Sequence, residues 1–287
     1  MPDPATAATI VKAISAVGAK ERRAEVERNA SGLIIRMLGP AADEIGVTLA
    51  RLVEYRFRNV GRIMRKAASK ASVGDRGIVN PRVVHVLLEE GSYCDNELMA
   101  EYLGGVLAGS RTPTGRDDRA VSWSSLITSM SSLQIRAHYL IYRELAARLQ
   151  GLNLDLGGSD RQLATMDIEL SEFGNALVID ADVEPDDAIN HSILGLVRLD
   201  LLEHEYAAFG ERDDFADFAP NAPYERVLHI VPSLTGMELY GWGQGLPGIM
   251  ADNFTSQAEV FELDPAIPRL TQVTFGLIPT LPQTSAS

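Results

Sequence analysis

Three places in the chain carry side chains of the kinds that do chemistry. The stretch 111–123, RTPTGRDDRAVSW, gathers Arg111, Arg116, Asp117, Asp118 and Arg119. Such a set can hold a phosphate through its arginines or a cation through its aspartates. Two adjacent aspartates are short of the three or more converging ligands a metal site needs. The same residues suit a turn in which Asp117 or Asp118 caps the next helix. The second place is His138, with Tyr142 one helical turn later. That spacing invites acid–base work, but no nucleophile or carboxylate pattern accompanies it, and a hydrogen-bonded core histidine is the preferred reading. The third is Cys94, the single cysteine, between Tyr93 and Asp95 at a predicted helix start. A helix start can lower a thiol pKa; a lone thiol there is more often incidental.

Other signatures are missing. His204 with Glu203 and Glu205 is the one local acid–histidine cluster, and its alternation predicts a strand with an exposed edge. P-loop, GxGxxG, HExxH and GxSxG patterns do not occur. One cysteine excludes an internal disulfide and a cysteine-based zinc site. No metal and no cofactor is expected, and nothing in the residues argues for an enzyme, although an acid–base role for Asp117, Asp118 and His138 stays open.

The elements that must position these residues follow from spacing. Asn80 can cap a helix that starts at Pro81, with Val83, Val84, Leu87 and Leu88 on one side and Gly91 as a left-handed stop. Asp95 is the predicted cap of a second helix, whose Leu98, Met99, Tyr102, Leu103, Val106 and Leu107 form a wide buried face. Gly104 and Gly105 lie inside it. Each glycine costs roughly 1 kcal/mol there against alanine, so a close helix–helix contact is expected.

Upstream, helices are predicted over 5–29 and about 41–71, joined by an apolar link at 31–38. In the longer one Ile45, Leu49, Leu52, Val53, Val60, Ile63, Met64 and Ala67 share a side. Arg51, Arg58, Arg62 and Arg65, with Lys66 beside them, form a stripe on nearly the opposite side. Arginine suits bidentate phosphate contact, so the stripe can meet nucleic acid or an anionic membrane surface. Otherwise it is solvated, or docks on acidic residues of the C-terminal half or of a second subunit. Arg56 projects onto the apolar side and must snorkel or find a carboxylate.

Downstream, helices are predicted at Trp123–Met130 and Leu133–Gln150, with Ser131 or Ser132 as cap and Gly151 as stop. LNLDLGGSD reads as a linker, placing a boundary near 155. Beyond it come helices at 160–170 and 185–201, strand-like EHEYAAF and ERVLHIV around a polar loop (210–223), a short helix in LTGMELYGWG, strand-like QAEVFELD and LTQVTFGLI, and a frayed PQTSAS. The expected fold is mainly α: a helical domain over 1–155, then a small α+β winged-helix-like domain over 156–287 with extra C-terminal strands.

Charge is polarised. Residues 1–70 hold 13 Lys and Arg against 7 Asp and Glu, while residues 151–287 hold 5 against 23, within a total of −13. Stretch 186–238 has Arg198, Arg212 and Arg226 against eleven acids, which repels a duplex and points to protein interaction or packing. No apolar run of about 18 residues spans a membrane and no signal-peptide pattern opens the chain. The cytoplasm is the expected compartment.

The order of GPAADEIGVTLARLVEYRFRNVGRIMRKAASKA, NPRVVHVLLEEGSYCDNELMAEYLGGVLAGS, LGLVRLDLLEHEY and VPSLTGMELYGW resembles the abortive infection alpha (Abi-alpha) family. The resemblance covers about residues 39–245, with central matches at Leu87, Glu89, Glu90, Glu97, Leu98, Tyr102, Leu103, Leu107, Ala108 and Ser110. It departs at Gly104-Gly105 and in the acidic tail. It implies a bacterial anti-phage defence protein, helical and without a spanning segment. That family has no agreed catalytic residues, so none carries over. The function expected is defence by binding or assembly rather than catalysis, with the basic helix on an anionic target and the acidic half holding a protein partner or covering that helix until infection. A nucleic-acid-binding regulator using the arginine stripe is the alternative. Self-association or a protein partner is expected.

Overall fold

The computed structural model describes residues 40–71, 77–152, 154–179, 182–204, 208–211, 224–258, 260–262 and 266–275. The helix expected at 5–29, the link at 31–38, most of the loop at 210–223 and the C-terminal PQTSAS lie outside them, as do the side chains of Ile45 and Leu49. Among the described residues the protein is mostly helical, with nine helices and a small amount of sheet.

Helix α1 (Pro40–Lys70) starts on a proline, where a missing N–H is harmless, and lays its C-terminal half on α3 (Glu97–Gly109) through Ile63 and Ala67, while Asn59 Nδ2 donates to the Ser92 carbonyl at 3.0 Å. Helix α2 (Pro81–Gly91) begins as its sequence dictates: Asn80 Oδ1 accepts the Arg82 N–H at 2.9 Å. Its end differs from expectation. Gly91 is not left-handed, and the chain passes into Ser92 at φ −66°. A Cβ on Gly91 would instead strike Ile63 Cδ1, so this glycine admits α1. The cap of α3 is Asn96 rather than Asp95, accepting the Met99 N–H at 3.0 Å.

A two-strand ribbon pairs β1 (Ile78–Val79) with β2 (Arg111–Thr112). Helix α4 (Ala120–Ser129) follows with Arg119 at its cap position and no side-chain cap. Asp117 accepts the Arg119 N–H and so lies two residues ahead of the cap position. Helix α5 (Ser132–Leu149) opens on a reciprocal capping box between Ser131 and Gln134.

After α5, the helix expected at 160–170 is replaced by a 3-10 turn (Ser159–Ala164) and strand β3 (Met166–Glu169), whose Met166 and Ile168 enter the core. Helices α6 (Leu170–Leu177) and α7 (Pro185–Arg198) precede β4 (Ala208–Glu211) and β5 (Arg226–Ile230). Then come α8 (Leu234–Gln244), the single turn α9 (Phe254–Gln257) and β6 (Val273–Phe275). The strand expected over 257–264 does not form at its described positions: Gln257 ends α9, and 260–262 are irregular. His204 is in a turn after α7, not a strand, and its Nε2 lies 3.0 Å from Asp200. The sheet runs β4-β5-β3-β6, antiparallel throughout, with Asp167 opposite both His229 and Thr274.

The core does not break near residue 155. One cluster of buried side chains joins Ile63 and Leu103 to Tyr139, Ile193, Met237 and Val273, and α5 packs on both α7 and α8. LNLDLGGSD is a turn within this packing: Asp155 Oδ1 accepts the N–H groups of Gly157 and Gly158.

Candidate functional site

His138 comes from the middle of α5, where it is fully buried. Its Nε2 is 3.1 Å from the Gly236 carbonyl. A carbonyl only accepts, so Nε2 carries the proton, and Nδ1 accepts from the Tyr102 hydroxyl at 2.9 Å. Burial pushes the His138 pKa down to about 3, with the Gly236 carbonyl opposing. Tyr142 stacks on the imidazole at 4.5 Å between centroids. Its hydroxyl donates to the Leu201 carbonyl at 2.6 Å and accepts the Ser233 N–H at 3.0 Å. Burial raises the pKa of both Tyr102 and Tyr142. A neutral imidazole with both nitrogens bonded and no solvent contact ties α3, α5 and α8 together.

The loop candidates point elsewhere. Asp118 pairs with Arg82 on α2 at 2.9 Å, and Asp117 with Arg119 at 2.6 Å. Hydrogen bonds from the Arg119 side chain and backbone hold the Asp117 carboxyl below its ordinary range. Arg116 contributes its carbonyl, which accepts from Asn80 Nδ2 at 3.1 Å. The two carboxylates face different arginines at the surface, while His138 is sealed in the core, so the structure does not bring them together. Among the described residues no three His, Cys, Asp or Glu side chains are placed to hold a metal ion. Cys94 is buried, and burial pushes its thiol up to about 11, opposite to the effect expected of a helix start.

The basic stripe of α1 divides. Arg62 Nε lies 3.2 Å from Glu97 and its NH1 donates to the Asp95 carbonyl at 2.6 Å. Lys66 pairs with Glu97 at 2.6 Å and also with Glu101. Lys70, its side chain only 3% exposed, donates to both the carboxylate and the carbonyl of Glu101. Desolvation lowers the Lys70 pKa despite Glu101; for Lys66 the two glutamates outweigh desolvation and raise it. Among the described residues, the acids that receive Arg62 and Lys66 belong to α3. Arg56 finds Ser92 Oγ at 2.8 Å, Glu89 at 3.3 Å and the Tyr93 ring at 4.7 Å. Arg51, Arg58 and Arg65 remain exposed.

Gly104 and Gly105 are packing residues. A Cβ on Gly104 would meet Lys66 and the Ala67 backbone nitrogen, and one on Gly105 would enter the carbonyl of Gly243.

Sequence reasoning missed Arg143. It is fully buried on α5, with its guanidinium 4.9 Å from the Tyr139 ring. It donates to the carbonyls of Ile267 (3.1 Å) and Pro268 (2.5 Å) and pairs with Glu144 at 3.2 Å. An arginine inside an otherwise apolar helix face was the available signal. The Asp167–His229 pair, at 2.5 Å across β3 and β5, is likewise hidden from the sequence, because 166–169 lies in a stretch whose spacing predicts a helix.

Comparison with protein-family models, curated proteins and solved structures finds no match to this chain. Among the described residues no helix is long and apolar enough to cross a membrane.

Proposed function

We propose that the chain is an anti-phage defence protein of the abortive-infection kind that acts by binding and assembly rather than by catalysis. The observation that carries this reading is the state of His138, the best-placed acid–base candidate, which is neutral, enclosed and doubly hydrogen-bonded. The Abi-alpha-like order of motifs supplies the biological setting, and the cytoplasm is the compartment that setting requires.

The winged-helix-like part, expected within 156–287, takes α5 as its first helix in this proposal and so spans Ser132–Ile230. The order α5, β3, α6, α7, β4, β5, with strands adjacent as β4-β5-β3, supports it. In that arrangement α7 takes the place of a DNA-reading helix. Its exposed side begins with Asp186 and Asp187, and carboxylates there repel phosphates. The unit therefore suits a protein partner.

Bacteria producing the chain and challenged with a panel of lytic phages provide the test. Infected cells should stop growing before they release progeny, and the double variant Asp117→Asn/Asp118→Asn should protect equally well. Protection lost in a folded double variant would move the function to chemistry at that loop. Absence of protection against every phage would remove the defence assignment.

A nucleic-acid-binding regulator is the alternative, favoured by the exposure of Arg51, Arg58 and Arg65 at intervals of one heptad. Replacing all three by alanine should reduce the log–log salt slope of duplex binding by roughly 2.7, at about 0.9 per phosphate contact. An unchanged slope would take these arginines off the nucleic acid.

A further inference from the structure

The apolar side of α1 is wider than the neighbours it meets. Ile63 and Ala67 are buried where the helix lies on α2 and α3. Val53, Phe57, Val60 and Met64 form a second apolar row, at steps of four, three and four residues. Helical geometry turns Phe57 about 120° away from Ile63 and keeps the row within about 60°. Val53 and Phe57 are exposed, Phe57 to 61% of its area, while Val60 and Met64 are partly buried. Large apolar side chains in a row along an exposed helix are uncommon on a surface with no interaction to make.

The charges beside this row are of both signs. Glu54, Arg58 and Arg65 are exposed and project to one flank of it. The Arg65 guanidinium lies back along the helix over Gly61, its Nη1 3.5 Å from where a Cβ on that glycine would stand. The other flank is the side of α2 and α3, where Arg56 is engaged by Ser92 and Glu89. We infer that two copies of this chain pair through α1, antiparallel, about a two-fold axis passing between Arg58 and Asn59. Phe57 then lies beside the partner's Val60, and Val53 beside the partner's Met64. Each Glu54 comes within reach of the partner's Arg65. A parallel pair would turn that flank toward the side of the partner that carries α2 and α3, leaving Glu54 and Arg65 apart. Because each residue contact occurs twice about the axis, the contact closes at two copies. Burial of the apolar row supplies the attraction, and the ion pairs at its rim set direction and register. An anionic surface laid on the same row would meet Glu54 at its edge as a repulsion. The inference rests on the binding-and-assembly reading above and names its partner as a second copy.

The test is the solution mass of the full chain by light scattering, as a function of concentration. Two copies should associate, and no more. Phe57→Asp, at an exposed position, should be monomeric with unchanged circular dichroism. Glu54→Arg and Arg65→Glu should each weaken the pair about tenfold, since each sets like charges together twice at the rim. The double variant Glu54→Arg/Arg65→Glu should recover the pair, because every rim contact is again between opposite charges. A chain that stays monomeric at all concentrations overturns the inference. If that monomer binds anionic vesicles and Phe57→Asp does not, the row belongs to a membrane instead. A dimer that survives Phe57→Asp overturns it as well, and a double variant as weak as the single ones removes the antiparallel register. The defence reading fails separately: a dimer whose loss in Phe57→Asp leaves phage protection intact keeps the inference and takes assembly out of that reading.

Discussion

Gly105 of α3 lies directly against the carbonyl of Gly243 on α8, so these two helices cross with no side chain between them. One residue earlier and about 100° around the same helix, Gly104 meets the α1 backbone at Ala67. Adjacent glycines thus let α3 touch two helices at once, which accounts for a pair that helix propensity alone disfavours.

Gly105→Ala should therefore be far more damaging than its chemistry implies. The obstructing atoms are backbone and cannot rotate away, so the loss belongs at or above the upper end of the roughly 1–3 kcal/mol range for overpacking. Gly61→Ala is the control. A methyl there meets only the end of Arg65 at 3.5 Å and should gain up to about 1 kcal/mol of helix propensity. Urea unfolding that ranks the two alike would contradict the close approach.

His138 sets an acid limit. Its folded pKa, about 3, lies below the value near 6.5 of an unfolded histidine, so the unfolded chain takes up the proton first as pH falls. The contribution is fully present above about pH 6.5 and is lost toward pH 3, at up to about 1.4 kcal/mol per pH unit. His138→Gln should lower stability at pH 7 yet flatten its dependence between pH 6.5 and 5. Parallel wild-type and variant curves would mean that His138 titrates normally in the fold.

Arg143→Met leaves the buried carbonyl of Ile267 and the carbonyl of Pro268 without their donor, and Glu144 without its nearest cation. Burial already raises the Glu144 pKa with Arg143 present. The expected loss is about 3–5 kcal/mol, typical of removing one member of a buried pair. Arg143→Met/Glu144→Leu should recover part of it. Limited proteolysis near residues 262–270 should accelerate in the single variant before the rest of the chain is cut; uniform cutting would show that Arg143 does not hold that segment.

Cys94 should resist modification. A pKa moved from 9.0 to about 11 reduces the thiolate fraction about 100-fold at neutral pH, and the thiolate is the reactive form. A disulfide reagent should react with the native chain at least 100-fold more slowly than in urea. Comparable rates would place the thiol at the surface.

What the sequence made legible was local. Asn80, Ser131 and Pro185 announce helix starts through bonds and dihedral preferences contained within a few residues. Gly91 and Asp95 were misassigned because a glycine that yields space and a glycine that turns left-handed are the same letter, and because Asn96 competes one position away. Strand β3 read as helix since Met166–Glu169 is short and its partners, β5 and β6, lie roughly 60 and 110 residues downstream. Position 155 read as a linker because turn residues mark solvent-facing chain, and they say nothing of whether helices on either side share a core. For the candidate site, His138 was legible as a core residue from the lack of companions. The division of the arginine stripe was not, because it depends on Glu97 and Glu101 arriving from another helix.

The guanidinium of Arg143 has a consequence for synthesis. Its acceptor at Ile267 lies 124 residues further along the chain. At roughly 5–20 residues per second, that interval lasts about 6–25 s of translation. Throughout it, α5 carries a charge whose carbonyl acceptors, at Ile267 and Pro268, are not yet made, with only Glu144 and the Tyr139 ring at hand. That flank of the helix therefore stays in water until residue 268 has been made, and only then can this part of the interior dry.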